Sequence, residues 1–109
     1  MKKVTLKLSW DEMNTLSVYI DSTINQYPEE LPKAYKWQWR LVQSVMILWS
    51  IKLKQKCVFK KSTPFKLSLD VPQASAFMLF FGWNADMKIT THLGITVLKI
   101  QNEINQQLQ

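Results

Sequence analysis

The sequence predicts an α+β fold: two βαα halves with pseudo-twofold symmetry, a small two-stranded sheet, and four helices covering that sheet. Three observations carry this reading. Segments 4–12 and 65–73 share one order of alternating strand, capping residue and apolar helix start. A second apolar helical pattern follows each of them. Glycine is scarce, with only Gly82 and Gly94, which argues against a turn-dense all-β fold and against a glycine-rich phosphate loop. At 109 residues the chain is one domain by size, 1–109, with halves of approximately 1–61 and 62–109.

The elements follow in chain order. Val4, Leu6 and Leu8 alternate with Thr5, Lys7 and Ser9, giving a strand with one buried face. Ser9 caps the next helix, and Glu12 completes a capping box. Met13, Leu16, Ile20 and Ile24 form the stripe of that helix, with Tyr19 beside them, and it should end near Gln26. Two prolines, Pro28 and Pro32, make the following segment a connector. Glu29 and Glu30 precede the next helix, where acids favour the dipole.

A second helix begins at 33–35 and is the most apolar element: Trp37, Leu41, Val42, Val45, Met46, Leu48 and Trp49. Apolar residues cover so much of its circumference that it is expected to be central, packed on more than one side. It reaches about Gln55. Residues 57–59 are either loop or a brief strand in a hairpin with the next one, and 62–64 form a turn.

Phe65, Leu67 and Leu69 make the second strand. Asp70 caps a helix over 74–81, with Pro72 in its first turn and Gln73 at the capping-box spacing. Gly82 is placed to close that helix in a left-handed conformation. A last helix starts around Asp86, with Ile89, Leu93, Val97, Ile100 and Ile104 on its apolar face.

The two halves align with an offset of 61 in the strands and first helices: Leu6 with Leu67, Ser9 with Asp70, Glu12 with Gln73, Leu16 with Phe77. In the second helices the offset is 52, which pairs Trp37 with Ile89, Leu41 with Leu93, Val45 with Val97 and Leu48 with Ile100. The two strands are expected to lie side by side with open outer edges, and Lys7 and Lys66 on the outer face would discourage indiscriminate stacking.

Composition restricts the chemistry. One cysteine, Cys57, forbids an intramolecular disulfide and suits a cytoplasmic protein. The start, Met1, Lys2 and Lys3, looks like a signal n-region, but Lys7, Asp11 and Glu12 interrupt any apolar run after it. The apolar run 45–49 is far short of a membrane span, so no membrane partner is expected. His92 is the only histidine; it lacks the companions a metal or general-base site needs, so no metal, cofactor or catalytic residue is assigned. Cys57 has two readings, a small packed residue or a thiolate favoured by Lys54, Lys56, Lys60 and Lys61. The acids Asp11, Glu12, Asp70 and Asp86 are claimed by helix starts, which argues against an enzyme.

What remains points to binding. Between Leu31 and Leu69 there are nine basic residues and no acid, and the whole chain is +6. Lys33, Lys36, Arg40, Lys52, Lys54, Lys56, Lys60, Lys61 and Lys66 are candidate contacts for an anion or nucleic acid, with Tyr35 or Trp37 able to stack on a base. A lysine-rich solvated face is the plainer alternative. Of Trp37 and Trp39, candidate interface residues, one is expected inside and one at an interface. The expectation is a non-catalytic, self-associating protein-interaction module, a homodimer; the alternative is a nucleic-acid-associated protein using residues 33–66. Any specific activity is expected between Tyr27 and Lys66.

Overall fold

A computed structural model of the chain describes residues 2–29, 31–60, 62–84 and 91–109. The fold is α+β, and the order of its elements is β1 (Lys3–Leu8), α1 (Trp10–Thr23), a 3-10 turn (Lys33–Tyr35), α2 (Lys36–Lys56), β2 (Phe65–Asp70), α3 (Val71–Trp83) and α4 (His92–Leu108). β1 and β2 form a two-stranded antiparallel sheet, with Leu6 opposite Leu67 and Lys7 opposite Lys66. One sheet face is apolar: Val4, Leu6, Leu8, Leu67 and Leu69 are buried beneath the helices. Two strands alone are marginal in water, and that layer is what holds them.

Both helix starts predicted from capping boxes form them. Ser9 Oγ accepts from the Glu12 N–H at 3.1 Å, and Glu12 Oε1 accepts from the Ser9 N–H at 2.8 Å. Asp70 and Gln73 repeat the exchange at 2.8 and 3.2 Å. Each box satisfies donors that a helix N-terminus leaves orphaned. The offset of 61 also holds in burial. Met13, Leu16, Tyr19 and Ile20 are buried in α1, and Ala74, Phe77, Phe80 and Phe81 are buried at the corresponding positions of α3.

The helix ends differ from expectation. α1 stops at Thr23, where the Ser22 and Thr23 hydroxyls both donate to the Tyr19 carbonyl, at 2.9 and 2.8 Å. Such local bonds compete with helix propagation. The expected left-handed Gly82 is corrected: Gly82 lies inside α3 with no positive φ, and Asn84 ends the helix by sending both its backbone N–H and its side-chain amide to the Phe80 carbonyl. α4 runs from His92, where Thr91 Oγ1 accepts from the Gly94 N–H at 3.0 Å as its cap, and the expected start around Asp86 falls outside the described residues. Asp86 and Ile89 lie outside the described residues, as do Glu30 and Lys61. Residues 57–59 form a turn, so β2 has no hairpin partner there.

The core joins all four helices. Trp39 packs against Tyr27, Phe80 and Trp83, with ring centroids 6.1 Å apart in each pair. Trp49 and Phe77 meet edge to face at 5.8 Å. The connector after α1 belongs to this scaffold, since the Tyr27 hydroxyl donates to the Pro32 carbonyl at 2.7 Å. Gln43 on α2 donates to the Ile24 carbonyl at 2.7 Å and ties α2 to the end of α1.

α2 is the largest departure from the sequence reading. Trp39, Val42, Met46, Trp49 and Leu53 face the core, whereas Leu41 and Leu48 are exposed. The helix packs on one side only. In burial, α2 and α4 correspond at an offset of 51, matching Met46 with Val97, Trp49 with Ile100 and Leu53 with Ile104. The expected offset of 52 does not match in burial, since it pairs the exposed Leu48 with the buried Ile100. One residue is about 100° around a helix, enough to exchange an inner stripe for an outer one.

Two carboxylates tie elements together and make stability acid-sensitive. Burial pushes the Glu12 carboxyl up, but the Ser9 N–H and the Lys99 ammonium at 3.0 Å outweigh it, and the pKa falls below 4.5. The Lys54 ammonium, with the Ser50 hydroxyl at 2.6 Å, holds Asp21 below 3.8. A carboxyl depressed on folding stabilises above its unfolded pKa, and the gain is lost as pH falls through the folded value. Melting temperature is therefore expected to drop as pH falls below the two ordinary values. The double variant Glu12→Gln, Asp21→Asn should show a flatter acid slope; an unchanged slope would refute this assignment.

Candidate interaction surface

α2 positions the residues that the sequence marked for binding. Trp37, Leu41, Ser44, Leu48, Ile51 and Gln55 recur at alternating intervals of four and three, and all six are exposed. Trp37 is 73% and Leu41 71% exposed. At about 100° per residue, this seam lies opposite the stripe that packs into the core. Val45 borders the seam and is half-buried. Its apolar members, Trp37, Leu41, Leu48 and Ile51, are all exposed, with Ser44 between Leu41 and Leu48. Of the two candidate interface tryptophans, Trp39 is 4% exposed and serves the core, while Trp37 opens the outer seam. Arg40 stacks its guanidinium on the Trp37 ring at 5.2 Å.

The basic residues divide between places. Lys33, Lys36 and Arg40 lie at the N-terminal end of α2, and Lys52, Lys54 and Lys56 at its C-terminal end. Lys36 and Lys52 are sixteen residues apart, about 24 Å along the helix. Lys54 pairs with Asp21, and Lys60 sits over the Trp10 ring at 5.2 Å. Lys52, Lys56 and Lys66 do come together, around a shallow cavity of about 470 Å³ between α2 and β2. Its remaining lining is Trp49, Gln55, Leu67 and Ser68. Lys52 lies over the Trp49 ring at 4.8 Å. The Trp49 indole N–H is buried and has no hydrogen-bond partner among the described residues.

The two edges of the sheet differ. On β1, the Thr5 N–H donates to Gln107 Oε1 and the Thr5 carbonyl accepts from Gln107 Nε2, both at 2.8 Å. One side-chain amide from α4 thus occupies the edge as a neighbouring strand would. Thr5 therefore turns its backbone away from β2, and Thr5 and Ser68 are a non-hydrogen-bonded pair. Alternation along the ladder makes Lys7 and Lys66 another such pair. Lys66 and Ser68 hence direct their N–H and C=O groups to the outer side of β2, where the cavity lies. Neither Ser68 nor Gln107 was singled out in the sequence, because edge orientation depends on the partner strand.

Cys57 is half-buried, and burial pushes its thiol pKa up. That favours the packed reading over the thiolate one. Its carbonyl accepts from the Trp10 indole N–H at 3.0 Å. His92 is exposed at the start of α4. Among the described residues no group of three or more His, Cys, Asp or Glu is arranged to hold a metal, and no helix is long and apolar enough to cross a membrane. No family model matches the chain, and neither a curated protein nor a solved structure is significantly similar to it.

Proposed function

We propose that this protein is a non-catalytic interaction module that self-associates through the outer face of α2. The observation that carries the reading is the exposed apolar seam running the length of that helix, opposite its core face. The spacing of the seam is palindromic about position 46. In an antiparallel pair of copies it sets Leu41 against Ile51, Ser44 against Leu48 and Trp37 against Gln55. Alternating steps of four and three are those of a helix-on-helix seam, and a twofold interface requires such self-complementarity. The pseudo-twofold relation between the halves belongs to this proposal too, supported by the recurring caps and buried positions.

Charge gives the reading a distinctive test. α2 has five basic residues and no acid, so two copies repel at their flanks. Salt screens that repulsion and leaves the apolar contact in place. Sedimentation equilibrium is expected to show a dimer that tightens as salt is raised. A monomer at high micromolar concentration in both low and high salt would remove the proposal.

The nucleic-acid reading has narrower support. Among the described candidates only Lys52, Lys56 and Lys66 converge, and Lys54 is already paired. Binding of that kind weakens steeply with salt, the opposite dependence.

A further inference from the structure

The open edge of β2 carries an inference beyond self-association and independent of it. Lys66 and Ser68 present two backbone N–H and two C=O groups outward, and no group among the described residues meets them. On the other edge, Gln107 has closed the equivalent groups of Thr5. A cavity adjoins the β2 edge, and its charged lining is entirely basic: Lys52, Lys56 and Lys66. We propose that this edge takes an extended acidic peptide as a third strand of the sheet.

The chemistry of the occupant follows from strand geometry. In an antiparallel register, residues that exchange backbone bonds with Lys66 and Ser68 carry side chains on the same outer face as those two. Acidic side chains there meet Lys66, with Lys7 directly across the ladder from it. The residue between them lies beside Leu67 on the inner face, next to the Trp49 ring, which suits a small apolar side chain. Lys52 and Lys56 add positive charge to the same cavity from α2. A second copy of this chain fits poorly, because β2 against β2 would bring two sets of Lys52, Lys56 and Lys66 together.

The probe is an acetylated, amidated heptapeptide alternating Glu and Val, titrated into the full chain at low salt. Backbone amide exchange, followed residue by residue, is the primary readout. Exchange at Lys66 and Ser68 is expected to slow at least tenfold, with Thr5 unchanged. N-methylating one alternate set of peptide residues should weaken binding more than tenfold, and methylating the other set should not. Equal effects of both sets would reduce the contact to charge alone and overturn the proposal. Equally strong binding of a single-stranded oligonucleotide of the same charge, or slowed Lys66 and Ser68 exchange that rises with protein concentration without peptide, would also overturn it. Ser68→Pro removes one outward donor while sparing the bonds to β1. It is expected to weaken the peptide about tenfold at an unchanged melting temperature. Should that variant melt early, the double variant Lys52→Gln, Lys56→Gln supplies the test, and undiminished binding by it would refute the assignment. A monomeric protein that still binds the peptide would separate this site from the α2 seam.

Discussion

Replacing Leu41 and Leu48 together with lysine is expected to yield a folded monomer. Both side chains are exposed in the single chain, 71% and 47%, so little folding energy rests on them. Lysine is close to leucine in helix propensity, and α2 should persist. Across a twofold contact each substitution counts twice, so four leucines leave the interface. Full burial of one leucine contributes about 1.5–3 kcal/mol. The dimer dissociation constant should rise by at least about 100-fold, a change worth about 2.7 kcal/mol. Sedimentation equilibrium measures it, with melting temperature as the control for folding. Wild-type association by the variant would place the contact elsewhere. Trp37→Ala is the weaker companion, since Trp37 lies at the end of the seam and meets Gln55.

Phe80→Ala is expected to cost about 3–5 kcal/mol of folding stability. The Phe80 ring is fully enclosed. It meets Tyr19 edge to face at 5.8 Å, stacks on Trp39 at 6.1 Å and touches Phe81 at 6.1 Å. It therefore joins α1, α2 and α3 at one point. A domain of this size is stable by about 5–15 kcal/mol in total, so the loss is a large share. Urea unfolding would show the midpoint fall at a nearly constant slope. A loss below about 1 kcal/mol would mean that neighbouring rings collapse into the space, contrary to a close-packed core.

Local rules located most of the scaffold. The period-two strands, the two capping boxes and the α1 stripe lie where alternation and spacing placed them, because each depends on residues within a few positions. Helix ends were less legible. The Ser22 and Thr23 hydroxyls, the Asn84 amide and the Thr91 cap act through single hydrogen bonds. A serine, threonine or asparagine in the sequence does not announce which bond it will make.

The candidate surface was legible in its residues but not in its orientation. Trp37, Leu41, Leu48 and the lysines of α2 all stood out. The helix, however, carries two apolar stripes of the same period, and an amphipathic pattern with two solutions has no unique inside. The lysines were likewise visible as a run, but Lys36 and Lys66 proved to serve different places.

The sequence alone determined the α+β class, the order of strands and helices, the two caps and the basic, acid-free middle. These follow from covalent neighbours and from periodicity. Only tertiary packing decided which stripe of α2 faces the core, because Trp39 and Trp49 meet the Phe80 and Phe77 rings of α3. Tertiary packing also decided that Gln107 closes the β1 edge of the sheet, while no described residue closes the β2 edge at Lys66 and Ser68. Both outcomes depend on contacts between residues far apart in the chain, and no local rule fixes them.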